Sequence, residues 1–137
     1  MSLDLSDRLT LHELLARLDH AVDAQDWDGY LSHFDPAAVM DPGFAPPVHG
    51  RDAIRAFLLA SEGNTRGKRH VASNVYIDGA GDEAVAHSYL VVIEREDIPK
   101  VIATARIVDT FARRDGRWRV VRHQVSVDPG MFKAFQG

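Results

Sequence analysis

Residues 101–127 read VIATARIVDTFARRDGRWRVVRHQVSV, and this stretch decides the fold. Two runs flank Asp115-Gly116, a dipeptide that tolerates the left-handed backbone of a tight hairpin turn. In the first run, Ala103, Ala105, Ile107 and Phe111 recur at every second position, the period of a strand with one buried face. Working towards the N-terminus, the same period holds back to about Arg66. It predicts four strands: Lys68 to Asp78, Asp82 to Arg95, Val101 to Arg114 and Arg117 to Val127. Gly79-Ala80-Gly81 and Ile98-Pro99 supply the earlier turns, so the four strands form one antiparallel meander. Strands this long must twist and curl.

Before Arg66 the period is that of a helix. Between Ser6 and Gln25, Leu11, Leu14, Leu15, Leu18 and Val22 fall on one face, with Ser6 or Thr10 as candidate caps. Asp26 caps a second, short helix carrying Trp27, Tyr30, Leu31 and Phe34, which stops before Pro36. Prolines 42, 46 and 47 with Gly43 and Gly50 break regular structure, leaving at most a short strand from Ala37 to Asp41. A third helix is expected from Arg51 to Ser61. Three helices followed by hairpin-linked strands predict an α+β domain, its curved sheet capped by helices around a pocket.

The chain has 137 residues, 45% of them apolar and 26% charged, which predicts one compact domain over 1–137. Sixteen Lys and Arg against twenty Asp and Glu remove the usual basis for holding a polyphosphate backbone, so nucleic acid is not expected as a partner. The absence of cysteine excludes disulfides, thiolate nucleophiles and Cys-ligated metals. No apolar run approaches the length of a membrane span. Met1-Ser2-Leu3-Asp4 carries an acid where a secretory signal carries basic residues, so a cytoplasmic location is expected.

Several motifs fail on inspection. His12-Glu13-Leu14-Leu15-Ala16 lacks the second histidine of a zinc-binding helix, and no other paired-His spacing suggests a metal. Gly79-Ala80-Gly81 precedes a β run, not the helix that a dinucleotide site requires. Arg113, Arg114, Arg117, Arg119 and Arg122 crowd the last hairpin, as a solvated rim or an attractor for an anion.

Four polar positions resist a purely structural reading. Asp23 lies in the last turn of the first helix, where its charge opposes the macrodipole and calls for a partner. His70 shares a strand face with Ala72, Asn74 and Tyr76, too polar a set for plain core. Asp41 sits among Val39, Met40, Pro42 and Phe44, either as a surface loop acid or as a buried one. Asp109 interrupts an apolar face, where it must be satisfied by backbone or an arginine, or else serve a site.

Leu18–Asp28 (LDHAVDAQDWD), the helix start Gly50-Arg51-Asp52-Ala53-Ile54, Arg69-His70-x-x-x-Asn74 and Asp109-x-Phe111 before Asp115-Gly116-Arg117-Trp118 together resemble the SnoaL-like branch of the nuclear transport factor 2-like superfamily. The resemblance implies a cone-shaped α+β barrel around one deep pocket, and dimers formed through the sheet. Asp23 and His70 match the Asp/His pair of scytalone dehydratase and lindane dehydrochlorinase, in which neutral histidine takes a proton from carbon while aspartate holds its tautomer. Asp41 and Asp109 line up with the general base and the protonated acid of ketosteroid isomerase. Leu18, Val22 and Pro42 stand where those relatives have tyrosines, so Tyr89 or Tyr76 is a candidate replacement, and Asn74 a candidate for orienting a substrate oxygen.

The resemblance thus implies a metal-free, cofactor-free lyase, isomerase or cyclase acting on a small apolar, aromatic or polyketide-like molecule, with Asp23 and His70 catalytic. Asp41, Asn74, Tyr89 and Asp109 are expected to bind the substrate. The alternative is a non-catalytic subunit or ligand-binding module resembling the small subunit of ring-hydroxylating dioxygenases. The tail Met131-Phe132-Lys133-Ala134-Phe135 must cover something: core, pocket or a dimer contact.

Overall fold

The computed structural model describes residues 2–134. Helix α1, Leu5–Asp23, is capped by neither predicted residue but by Asp4, two positions before Ser6; the Asp4 side chain accepts from the Asp7 amide. Its buried stripe is Leu11, Leu14, Leu15 and Leu18. Gln25 takes a left-handed backbone and turns the chain into α2, Trp27–Leu31, which Asp26 caps as the sequence predicts. Strand β1 (Phe34–Asp41) begins earlier than expected, and a two-residue β2 (Val48–His49) returns beside it. Helix α3, Arg51–Ala60, leads through a single 3-10 turn, Glu62–Asn64, into the meander.

The meander strands are β3 (Lys68–Ala80), β4 (Glu83–Glu94), β5 (Lys100–Arg114) and β6 (Arg117–Val127). They pair antiparallel in chain order, and β1 adds parallel to β6, giving the sheet order β2-β1-β6-β5-β4-β3. That parallel pair was not legible as a strand partnership in sequence. A short helix α4, Pro129–Ala134, follows β6; Phe135 lies outside the described residues.

The core lies between helices and sheet. Leu11, Leu31, Phe34, Ile54, Phe111 and Val120 are fully buried there. Three arginines of the last hairpin, Arg113, Arg114 and Arg122, are engaged in ion pairs that tie elements together. Arg113 bridges Asp7 of α1 and Asp82 of the β3–β4 turn, at 2.8 and 2.9 Å, and Arg114 pairs with the buried Asp35. Among the described residues no helix is long and apolar enough to cross a membrane.

Candidate active site

The packed core does not fill the whole space between α1, α3 and the sheet. A cavity of about 620 Å³ remains, walled by apolar side chains that include Leu18, Val22, Phe57, Leu58, Leu90 and Val92. Phe44 joins this wall because Gly43 has φ +82° and lies so close to β6 that a Cβ there would stand 2.4 Å from the Val125 carbonyl oxygen. Only glycine permits that approach. Helix α4 also brings Met131 and Phe132 to the wall.

Two polar centres interrupt this lining. The first joins α1 to β3. The Asp23 carboxylate accepts from the His70 backbone amide at 3.0 Å and contacts Nδ1 of its ring at 2.8 Å. His70 is part of the cavity wall, whereas Asp23 is set back from it. A carboxylate at Nδ1 fixes the proton on that nitrogen and leaves Nε2 available to a ligand. The turn before β3 is held in place from behind. The Gln25 side-chain amide donates to the Glu62 carbonyl and the Thr65 hydroxyl, and the Trp27 indole donates to the Glu62 carboxylate.

The second centre lies across β5 and β6. Asp109 and His123 are cross-strand partners, and His123 Nδ1 stands 2.6 Å from the Asp109 carboxylate. Asp109, 3% exposed, is satisfied by a histidine, not by the backbone or arginine bond that its burial alone suggested. Burial acts to lower the His123 pKa, but the Asp109 charge and hydrogen bond, with Asp19 beyond them, outweigh it and the net shift is upward. Asp19 lines the same cavity from α1. Burial raises its pKa from 3.8 to about 7; His123 opposes the rise, and the charges of Asp109 and Asp23 add to it. Tyr30, also on the wall, is held neutral by burial and by the same two acids, Asp109 and Asp19.

Asp19 and His123 were missed in sequence. Asp19 sits four residues after Leu15 and three before Val22, inside the apolar stripe, and that position was the available signal. His123 shares an inward alternation with Val125 and Val127, which also line the cavity.

Three expected substrate contacts are corrected. Asp41 is turned outward by strand alternation while Met40 lines the cavity; its carboxylate accepts from the Gly43 amide and pairs with Arg122. Asn74 is exposed, because a bulge between Ser73 and Tyr76 with Asn74 at φ 53° reverses the alternation of β3. Beyond it Val75 and Ile77 face the core. Tyr89 is 53% exposed on the outer sheet face, as is Tyr76, which stacks on His87 there. Neither tyrosine replaces a donor in the cavity. Among the described residues no group of three or more His, Asp or Glu side chains is arranged to hold a metal ion.

A curved sheet closed by helices over one apolar chamber with inward acids and histidines defines a class of small α+β pocket proteins. A model of the SnoaL-like domain family matches residues 3–124, and the chain belongs to that family. A protein of unknown function with a cystatin-like fold from Nostoc punctiforme superposes with TM-score 0.89 at 32% identity, covering 96% of this chain and 98% of that one. A nuclear transport factor 2-like protein with a cystatin-like fold from Novosphingobium aromaticivorans gives TM-score 0.81 at 23% identity, covering 96% and 88%. A candidate scytalone dehydratase from the same organism gives 0.78 at 22%, covering 90% and 85%; at these lower identities the likeness concerns the fold. Among curated proteins, none matches this sequence.

Proposed function

We propose that this protein is a general acid–base enzyme that removes a proton from carbon in a small, largely apolar cyclic or polyketide-like molecule, leading to elimination, isomerisation or cyclisation. His70 is the base. Asp23 holds its tautomer and stabilises the imidazolium formed when Nε2 takes the proton. All the groups this chemistry uses belong to the chain itself.

One observation carries the reading: a carboxylate-bonded imidazole forms part of the wall of a roomy, mostly apolar chamber. A chamber of this size accepts a small polycyclic ligand, and its low polarity strengthens the pull of Asp23 on the nascent imidazolium. The candidate scytalone dehydratase among the structural neighbours is in keeping with that chemistry. The outer sheet face exposes Val71, Tyr76 and Tyr89, and we assign it to pairing with a second copy of the chain.

Exchange of the α-hydrogens of 2-tetralone in deuterated water tests the reading without knowledge of the natural substrate. Catalysed exchange that disappears in His70→Gln supports it; equal rates in the two proteins refute it.

A further inference from the structure

The Asp23–His70 pair leaves the second polar centre without a task. Asp19, Asp109 and His123 come from three different elements, α1, β5 and β6, yet all line one cavity. Helix α1 supplies the ruler between the two centres. Asp23 meets His70, and Asp19, one turn earlier on the same helix, stands about 6 Å away along the axis.

We propose that Asp19, His123 and Asp109 form an oxygen-binding subsite, which donates hydrogen bonds to a carbonyl or hydroxyl oxygen of the ligand and can protonate it. Asp109 anchors the His123 ring through Nδ1, which leaves Nε2 as the second ring nitrogen to donate. Asp19 supplies a carboxylic acid from the facing helix. The groups around these donors are Asp23 on α1, Tyr30 on α2, Asp109 on β5 and His123 on β6. Within that set, burial keeps the Asp19 proton in place up to about pH 7, while the charge and hydrogen bond of Asp109 favour the imidazolium form of His123 against its burial.

The ligand class follows from two polar centres that share one apolar chamber. A cyclic ketone fits with its α C–H towards His70 and its oxygen towards Asp19. The C–H bond breaks, the proton goes to His70 Nε2, the electron pair forms the carbon–carbon double bond of an enol, and the carbonyl oxygen takes a proton from the subsite. For a β-hydroxy compound the same donor protonates the departing hydroxyl, which leaves as water. The catalytic part of this inference rests on His70 acting as the base; the binding part does not.

The experiment uses 2-tetralone labelled with carbon-13 at the carbonyl, with the hydrocarbon tetralin as control. In the wild-type protein the bound carbonyl stretch falls below its value in water. Asp19→Leu loses at least about tenfold in 2-tetralone affinity, the scale of one strong hydrogen bond, and keeps tetralin affinity. The paired variant Asp109→Asn with His123→Gln, which preserves a neutral hydrogen-bonded pair, shows the same loss. If neither variant folds, wild type alone decides: 2-tetralone affinity declines as pH rises through about 7, and tetralin affinity does not. A bound carbonyl stretch no lower than in water, or affinities unmoved by substitution and by pH, overturns the subsite. His70→Gln separates the two readings. Exchange lost there with 2-tetralone binding independent of Asp19 removes the subsite and keeps the base; Asp19-dependent binding with exchange intact in His70→Gln does the reverse.

Discussion

Asp23 holds His70 twice, through the backbone amide at 3.0 Å and through ring Nδ1 at 2.8 Å. The first contact fixes where β3 begins relative to the end of α1, and the second fixes how the ring is turned. A carboxylate in the last turn of a helix is unfavourable for the helix by some tenths of a kcal/mol. The two bonds from His70 offset that cost, so the residue that strains the helix end also aligns the ring.

Asp23→Asn retains an acceptor for the backbone amide but lacks the charge that stabilises an imidazolium. The expected result is a folded protein with the thermal midpoint of wild type within a few degrees and an exchange rate lowered at least about tenfold. Circular dichroism melts and 2-tetralone exchange measure both. A variant that keeps the full rate refutes the orienting role.

Stability should depend on pH through Asp19 and His123 in the same direction. For Asp19 the folded pKa lies above its ordinary value, so between 3.8 and about 7 the folded state binds more protons than the unfolded chain; stability therefore falls as pH rises through that window. His123 is also raised, and its contribution is full below 6.5 and lost as pH climbs through the higher folded value. Asp19→Asn removes the first of these two contributions. Urea titrations should show the variant gaining stability relative to wild type as pH rises from 3.8 to about 7. A difference that stays constant with pH contradicts the raised acid.

Phe111 is fully buried on β5, two residues from Asp109 on the same inward face. Phe111→Ala should cost about 3–5 kcal/mol through lost burial and the cavity left behind. Chemical denaturation reads this directly, and a cost below about 1 kcal/mol would show that the sheet repacks around the site.

Tyr89, exposed on the outer sheet face, points away from the chamber. Tyr89→Lys should leave exchange activity unchanged and shift the sedimentation coefficient from dimer to monomer. A wild-type protein that sediments as a monomer disproves the assignment of that face.

Most of the fold was legible because it depends on local periodicity. The leucine stripe of α1, the Asp26 cap and the Asp115-Gly116 turn each follow from near neighbours in the chain. The parallel pairing of β1 with β6 depends on contacts between residues about eighty positions apart, such as Phe34 with Val120, and has no local signature. The site divides in the same way. Asp23 and His70 stood out because each violates its local pattern. Unbroken alternation from His70 puts Asn74 on the pocket face, and the bulge after Ser73 reverses it; Tyr89 is a candidate only because the resemblance leaves a tyrosine role unfilled, and it lies exposed on the outer face of β4. Asp19 escaped notice because the apolar stripe around it was read as continuous.

The most direct test of the account compares deuterium uptake at the α-carbons of 2-tetralone by wild type and His70→Gln under identical conditions. A positioned imidazole base contributes roughly a hundredfold to ten-thousandfold, so the variant should lose at least the lower factor while still binding the ketone. Uptake that proceeds equally in both proteins would contradict His70 as the base, whatever the cavity around it holds.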